Sequence, residues 1–130
     1  MNREPERRLG FLRARLRSFV FAGRGIVALI VTQGNAQIHL AATVAVVAGG
    51  CYFKVTTSEW IALILSMAIV WAAEGMNTAI EALADRITTE HDPLIGRAKD
   101  VAAGAVLLAA IAAAVVGVLV FWPRLACACH

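Results

Sequence analysis

The chain has 130 residues, 60% of them apolar and 16% charged, with a mean hydropathy of +0.74. Water-soluble domains carry an apolar share nearer one half, so this is the composition of a membrane chain. Three spans of about 20 residues would take roughly half the chain, which excludes a large soluble catalytic domain and puts any active site within or beside the bilayer. The formal net charge is +3, and seven arginines lie before residue 25, a concentration that sets orientation at a membrane rather than a generally basic surface.

In chain order, Leu9, Leu12, Leu16, Phe19 and Val20 recur at spacings of three and four, with Arg8, Arg13, Arg15 and Arg17 on other faces. This predicts a basic amphipathic helix over 5–32 lying on an anionic membrane surface. A helix packed on a soluble core has too little soluble chain to pack against, a secretory signal is disfavoured by the late apolar run, and the apolar stripe argues against nucleic acid as the partner of the arginines. Ile38 to Phe53, closed by Tyr52 and Phe53 with Gly49-Gly50 near its end, reads as a short first span within a helix over 36–53. A second span begins near Trp60 in a helix over 59–85. The third, in a helix over 98–122, is the clearest, because Val101 to Trp122 holds no charge. Pro123 and Arg124 are expected to stop it, leaving 123–130 as a tail. The predicted fold class is thus an all-α membrane protein, a surface helix plus three transmembrane helices in a single unit. The arginine bias puts the N-terminus and the Thr88 to Lys99 loop in the cytoplasm, and the Lys54 to Glu59 turn and the C-terminus outside.

Ionisable residues inside a span are expensive and usually functional. Glu74, Asn77, Glu81 and Asp85 are spaced by three, four and four residues, which keeps them within roughly 80° of arc on the second helix. This polar stripe faces Arg97, Lys99 and Asp100 across a short loop, and carboxylates with a lysine at the water–lipid boundary are what a Mg²⁺–phosphate site needs. Glu74 lies deepest in apolar surroundings, which suits a general base that takes a proton from a lipid hydroxyl. Glu81, two turns on, is placed to hold a hydrated Mg²⁺ bridging nucleotide phosphates. Lys99 is placed to neutralise the transferring phosphoryl group, Asp100 to orient Lys99 or Asn77, and Asn77 to bond either glutamate. The competing reading is that these acids pair with Arg86, Arg97 or Lys99 to fasten the bundle, which suits Asp85 and Arg86 better than Glu74.

The run Ala73-Glu74-Gly75-Met76-Asn77-Thr78-Ala79-Ile80-Glu81-Ala82-Leu83-Ala84-Asp85, followed by Gly96-Arg97-Ala98-Lys99-Asp100-Val101, closely resembles the prokaryotic integral-membrane diacylglycerol kinase and undecaprenol kinase family. Phe21-Ala22-Gly23-Arg24-Gly25 and Asn35-Ala36-Gln37-Ile38-His39 extend the likeness to about residues 15–120. The resemblance implies a homotrimer in the bacterial plasma membrane that transfers the γ-phosphoryl of MgATP to a lipid alcohol, diacylglycerol or undecaprenol, at sites formed between subunits. It implies Glu74 as catalytic base, Asn77 as an active-site polar residue, Glu81 as a metal ligand serving the nucleotide site, and Lys99 and Asp100 at the phosphates. Glu90, His91 and Asp92 match a segment that contacts the nucleotide. Where family members commonly carry a second metal-binding glutamate, this chain has Thr32-Gln33-Gly34-Asn35. Gln33 offers Mg²⁺ a neutral oxygen without charge, so weaker binding through its amide, replacement by another group and a single ion all stay open.

Cys51 is expected to pack as a small hydrophobe in the first span. Cys127-Ala128-Cys129-His130 is a weak metal signal and reads as a disordered tail. His39 is expected to be an interfacial hydrogen-bonder, and His91 to lie near the adenine without doing chemistry. The alternative function class is a noncatalytic membrane subunit or an ion or proton conduit, which also wants carboxylates in a bundle but has no reason to bind MgATP.

Overall fold

The computed structural model describes residues 4–87 and 92–128, with side chains over 13–87 and 92–126. Every described element is helical: α1 (Glu4–Thr32), α2 (Gly34–Tyr52), α3 (Thr57–Ile87) and α4 (Pro93–Ala128). The neighbours α3 and α4 form the principal packing pair, α2 lies on α3, and α1 touches both α2 and α3. Among the described residues, α3 and α4 are the helices long and apolar enough to cross a membrane. The 19-residue α2 is diluted at its start by Asn35, Gln37 and His39.

A single extended residue, Gln33 (φ −108°, ψ 118°), separates α1 from α2. The Gln37 side chain straddles this junction and donates to the Ile30 carbonyl at 3.3 Å. On the described part of α1, Leu16, Phe19 and Val20 are exposed, as an apolar face without soluble chain to cover it should be.

The α2–α3 turn closes by backbone chemistry. Val55 N–H reaches the Gly50 carbonyl at 3.1 Å and Lys54 N–H the Cys51 carbonyl at 3.3 Å, the paired bonds of a Schellman C-cap. Lys54 occupies its left-handed position (φ 50°), where glycine is usual. Then α3 opens on a capping box: the Thr56 N–H donates to Glu59 Oε2 at 2.7 Å and the Glu59 N–H returns to Thr56 Oγ1 at 3.4 Å.

Above this turn lies the core. Val55, Leu63 and Val120 are buried, with Val46, Phe53, Trp60, Met67, Val116 and Phe121 packed around them. Trp60 and Phe121 reach α2 because Gly49 and Gly50 carry no side chain there.

Several boundaries differ from expectation. The fourth helix begins at Pro93 rather than residue 98, since Asp92 caps it: its Oδ1 accepts the N–H groups of Leu94 at 2.8 Å and Ile95 at 3.3 Å, and proline suits the first helical position. Pro123 does not end α4, which continues to Ala128. A proline removes one backbone bond, and here the next residue holds the turn, Arg124 Nη1 donating to the Val120 carbonyl at 2.6 Å. The expected tail is therefore helical as far as Ala128; Cys129 and His130, like the Cys127 side chain, lie outside the described residues. Cys51 is exposed rather than packed, because α2 turns that face away from α3.

Arg124 also closes a fork-to-fork ion pair on Glu59, Nη1 to Oε1 at 2.9 Å and Nη2 to Oε2 at 2.7 Å, joining the start of α3 to the end of α4. Both side chains are about three-quarters buried, at 24% and 28% exposure. Glu59 serves the cap and the pair together. Glu59→Ala is therefore expected to lower the thermal midpoint more than Arg124→Met, measured by thermal unfolding in one detergent; equal midpoints for wild type and Glu59→Ala would refute this.

Candidate active site

The buried stripe of α3 runs Leu63, Val70, Glu74, Asn77, Ala84, at the three- and four-residue spacing that keeps one helix face inward. Its first half is apolar and, with Met67 and Trp71, lines a cavity of about 340 Å³ walled by α2 and by Ala113 and Gly117 of α4. Trp71 Nε1 donates to Thr43 Oγ1 at 3.1 Å, and Thr43 donates on to the His39 carbonyl at 2.7 Å, which pins α2 to α3. His39 itself is part-buried on that wall.

The second half is polar. Glu74 is 1% exposed and Asn77 5%, the two buried polar residues of the described chain. The end of α1 arrives beside them, a Cβ at Gly75 standing 3.9 Å from Leu29 Cδ2. Asn77 Nδ2 donates to Glu81 Oε1 at 3.0 Å, a four-residue pair along the helix that fixes both side chains. Because a carboxylate only accepts, Asn77 turns its nitrogen to Glu81 and its oxygen into the stripe. Among the described residues, Glu74 Oε2, Asn77 Oδ1 and Thr78 Oγ1 are buried without a hydrogen-bond partner. Each orphaned buried group costs on the order of 1–3 kcal/mol, so three within five residues is a concentration that folding alone does not favour.

The remaining sequence-derived candidates are placed as follows. Lys99 Nζ pairs with Asp85 Oδ1 at 2.9 Å, with 38% and 70% of the side chains exposed. The expectation that Asp100 orients Lys99 or Asn77 is not met, because Lys99 reaches across the α3–α4 hairpin to Asp85, Asn77 bonds Glu81, and Asp100 is exposed. The Asp92 carboxylate is spent on the α4 cap. Glu90 and His91 lie outside the described residues. Gln33 sits half-buried at the α1–α2 junction, its side chain taking no part in capping. Among the described residues no three His, Cys, Asp or Glu side chains converge as a metal cluster within the chain.

Two features escaped the sequence reading. The box Thr56-x-x-Glu59 was a legible signal, whereas its pairing with Arg124, 65 residues away, leaves no local trace. Thr78 lies inside the motif but was passed over, since a hydroxyl in a helix ordinarily bonds its own backbone.

The family model for prokaryotic diacylglycerol kinase matches residues 20–121, which contain the whole polar stripe and the Lys99 turn. The chain is 42% identical over 109 residues to the undecaprenol kinase of Bacillus subtilis strain 168, covering 84% of this chain and 89% of that one. It is 32% identical over 113 residues to the diacylglycerol kinase of Escherichia coli strain K12, covering 87% and 92%. A helical hairpin apolar enough for a membrane, a buried glutamate on its inner face and this extent of likeness lead to one conclusion: the chain belongs to the prokaryotic diacylglycerol kinase family and is a lipid kinase.

Proposed function

We propose that the protein transfers the γ-phosphoryl of MgATP to the primary hydroxyl of a membrane lipid alcohol, undecaprenol or diacylglycerol. The observation that carries this reading is Glu74, a carboxylate 1% exposed with one oxygen unpartnered, at the end of an apolar helix face. That placement suits a base that meets a hydroxyl carried on hydrocarbon rather than one arriving from water.

In this reading Glu74 takes the proton of the lipid hydroxyl. Asn77 holds Glu81 and turns its oxygen toward the reacting groups. Lys99 exchanges its exposed partner Asp85 for a nucleotide phosphate, at little cost because an exposed ion pair contributes little. Asp100, Glu90, His91 and Asp92 belong to the nucleotide side, Asp92 by shaping the start of α4. The oxygen-only donors at Glu81 and Asn77 fit Mg²⁺, which takes few protein ligands and completes its shell with water and phosphate oxygens. When bound, Mg²⁺ would neutralise phosphate charge at Glu81, with Gln33 a neutral second candidate ligand.

Three spans are part of the proposal. The 19 residues of α2 rise about 28 Å, close to a hydrocarbon core. With α1 on the cytoplasmic surface, the stripe end of α3 faces the cytoplasm and the Glu59–Arg124 end faces outward in a bacterial plasma membrane. Three thin helices scarcely enclose a site, which supports a homotrimer completing the site between subunits.

Full-length protein in lipid nanodiscs is expected to move labelled phosphate from ATP to undecaprenol or dioleoylglycerol, with both acceptors present in competition. Folded protein that labels neither would sink the proposal. Lys99→Ala is expected to weaken MgATP binding, read by titration calorimetry; unchanged affinity, or a wild type that does not bind MgATP, would favour a conduit or noncatalytic subunit.

A further inference from the structure

Among the described residues, hydroxyl side chains of the helices past their first turns behave alike, with one exception. Ser18, Thr32 and Thr43 each donate to the carbonyl four residues back, at 3.1, 2.8 and 2.7 Å, and Ser66 donates to the carbonyl three back at 2.9 Å. Thr78 does not, and its Oγ1 is buried with no partner. The local bond is the default for a hydroxyl in a helix, so forgoing it while staying away from water leaves a polar group uncompensated.

The neighbours of that hydroxyl supply a reason. Glu74 is four residues back, one turn along the same helix face, so the two side chains are neighbours on that face. Residues so spaced have Cβ atoms about 5–6 Å apart, near enough for both side chains to meet one small ligand. Of the three orphaned atoms, Glu74 Oε2 and Asn77 Oδ1 can only accept, the first as a carboxylate oxygen and the second as an amide oxygen. Thr78 Oγ1 alone among them carries a proton to donate.

We propose that Thr78 is a further catalytic residue, whose hydroxyl holds the oxygen of the acceptor alcohol against Glu74. This inference rests on the kinase reading above and adds a residue to it. An alcohol oxygen has one proton and two lone pairs. The proton is given to Glu74 Oε2, one lone pair accepts the Thr78 hydroxyl, and the other remains free to attack phosphorus. As the alcohol O–H bond breaks, its proton goes to Glu74 and its electron pair stays on oxygen. The free pair forms the new O–P bond to the γ-phosphorus of ATP, while the bond from that phosphorus to the β,γ-bridging oxygen breaks and its pair leaves on ADP. The Thr78 hydrogen bond strengthens as negative charge grows on the attacking oxygen, so it favours the transition state over the bound ground state.

The experiment compares Thr78→Val, which keeps the shape and deletes the hydroxyl, with Thr78→Ser, which keeps the hydroxyl. Both are measured in nanodiscs with labelled ATP and dioleoylglycerol or undecaprenol. Thr78→Val is expected to lower kcat for lipid phosphorylation about 10- to 100-fold with whichever lipid the wild type uses, leave KM for MgATP within about twofold, and unfold no earlier than wild type. Thr78→Ser is expected to keep about a third or more of the rate. The inference is overturned if Thr78→Val transfers within about twofold of wild type, or if the serine variant falls as far as the valine. A rise in KM for MgATP matching the loss of rate would overturn it by assigning the hydroxyl to the nucleotide. A lower thermal midpoint or an altered assembly mass for Thr78→Val would overturn it by assigning the hydroxyl to packing between helices or subunits. Wild-type protein that phosphorylates neither lipid brings down the kinase reading and this inference together, whereas an active wild type with an equally active valine variant brings down the inference alone.

Discussion

Glu74→Gln is expected to lower lipid phosphorylation by about 10²–10⁴-fold, the usual contribution of a positioned general base, while the protein stays folded. The substitution keeps the side chain's length and shape in a site that is 1% exposed, so no cavity opens and no neighbour is displaced. It removes the one property the reaction needs, a free carboxylate oxygen able to take a proton. The loss should fall on kcat with MgATP affinity retained, because of the groups that serve the nucleotide in this reading Glu81 lies two turns farther along α3 and Lys99 lies across the hairpin beside Asp85. Initial rates with labelled ATP at saturating lipid, beside calorimetric titration of MgATP, separate the two parameters. A glutamine variant as active as wild type would remove Glu74 from the chemistry altogether.

The largest stability effect is expected at Gly50. A Cβ built there would stand 2.6 Å from Cη2 and 2.7 Å from Cζ2 of Trp60, well inside van der Waals contact. The obstacle is a rigid indole packed against Val55, Leu63 and Val120, so it cannot swing aside as a flexible chain end would. Gly50→Ala should therefore destabilise by about 1–3 kcal/mol, seen as a drop of several degrees in thermal midpoint. Gly49→Ala meets only the edge of Phe121, at 3.2 Å, and should lose less. Combining Gly50→Ala with Trp60→Leu should recover part of the loss relative to the sum of the single changes, which is the signature of direct contact. A Gly50→Ala midpoint equal to wild type would show that α2 and Trp60 do not pack this way.

The apolar runs and the acid spacing on α3 placed that helix and its inward polar face, because periodicity carries both facts at once. The start of α4 lies earlier than the apolar run suggests because Asp92 serves the cap that Asp92-Pro93 spells out rather than a ligand. At its end Pro123 reads as a stop, although proline only omits one bond when the turn is otherwise supported. Cys51 was misplaced because α2 is apolar on nearly every side, and a helix without a polar face does not announce which side is inner. The Asp85–Lys99 and Glu59–Arg124 pairs join residues 14 and 65 apart, and no local pattern records which acid a distant cation will choose. Thr78 was overlooked for the opposite reason, since its oddity is a missing local bond that only coordinates display.

The hairpin of α3 and α4 also bears on how such a chain enters a bilayer. A carboxylate at mid-helix adds about 2.5–3.5 kcal/mol to the transfer of an isolated helix, so α3 with Glu74 is a reluctant entrant on its own. The next helix to leave the ribosome, α4, is more apolar, carries no charge from Val101 to Trp122, and is the one α3 packs against. Insertion as a pair lets the greasier partner draw the acidic one in and cover part of its face as it arrives. The buried acid of α3 thus depends for its delivery on the uncharged stretch of α4, and the order of the two helices in the chain is part of how the polar stripe reaches its place.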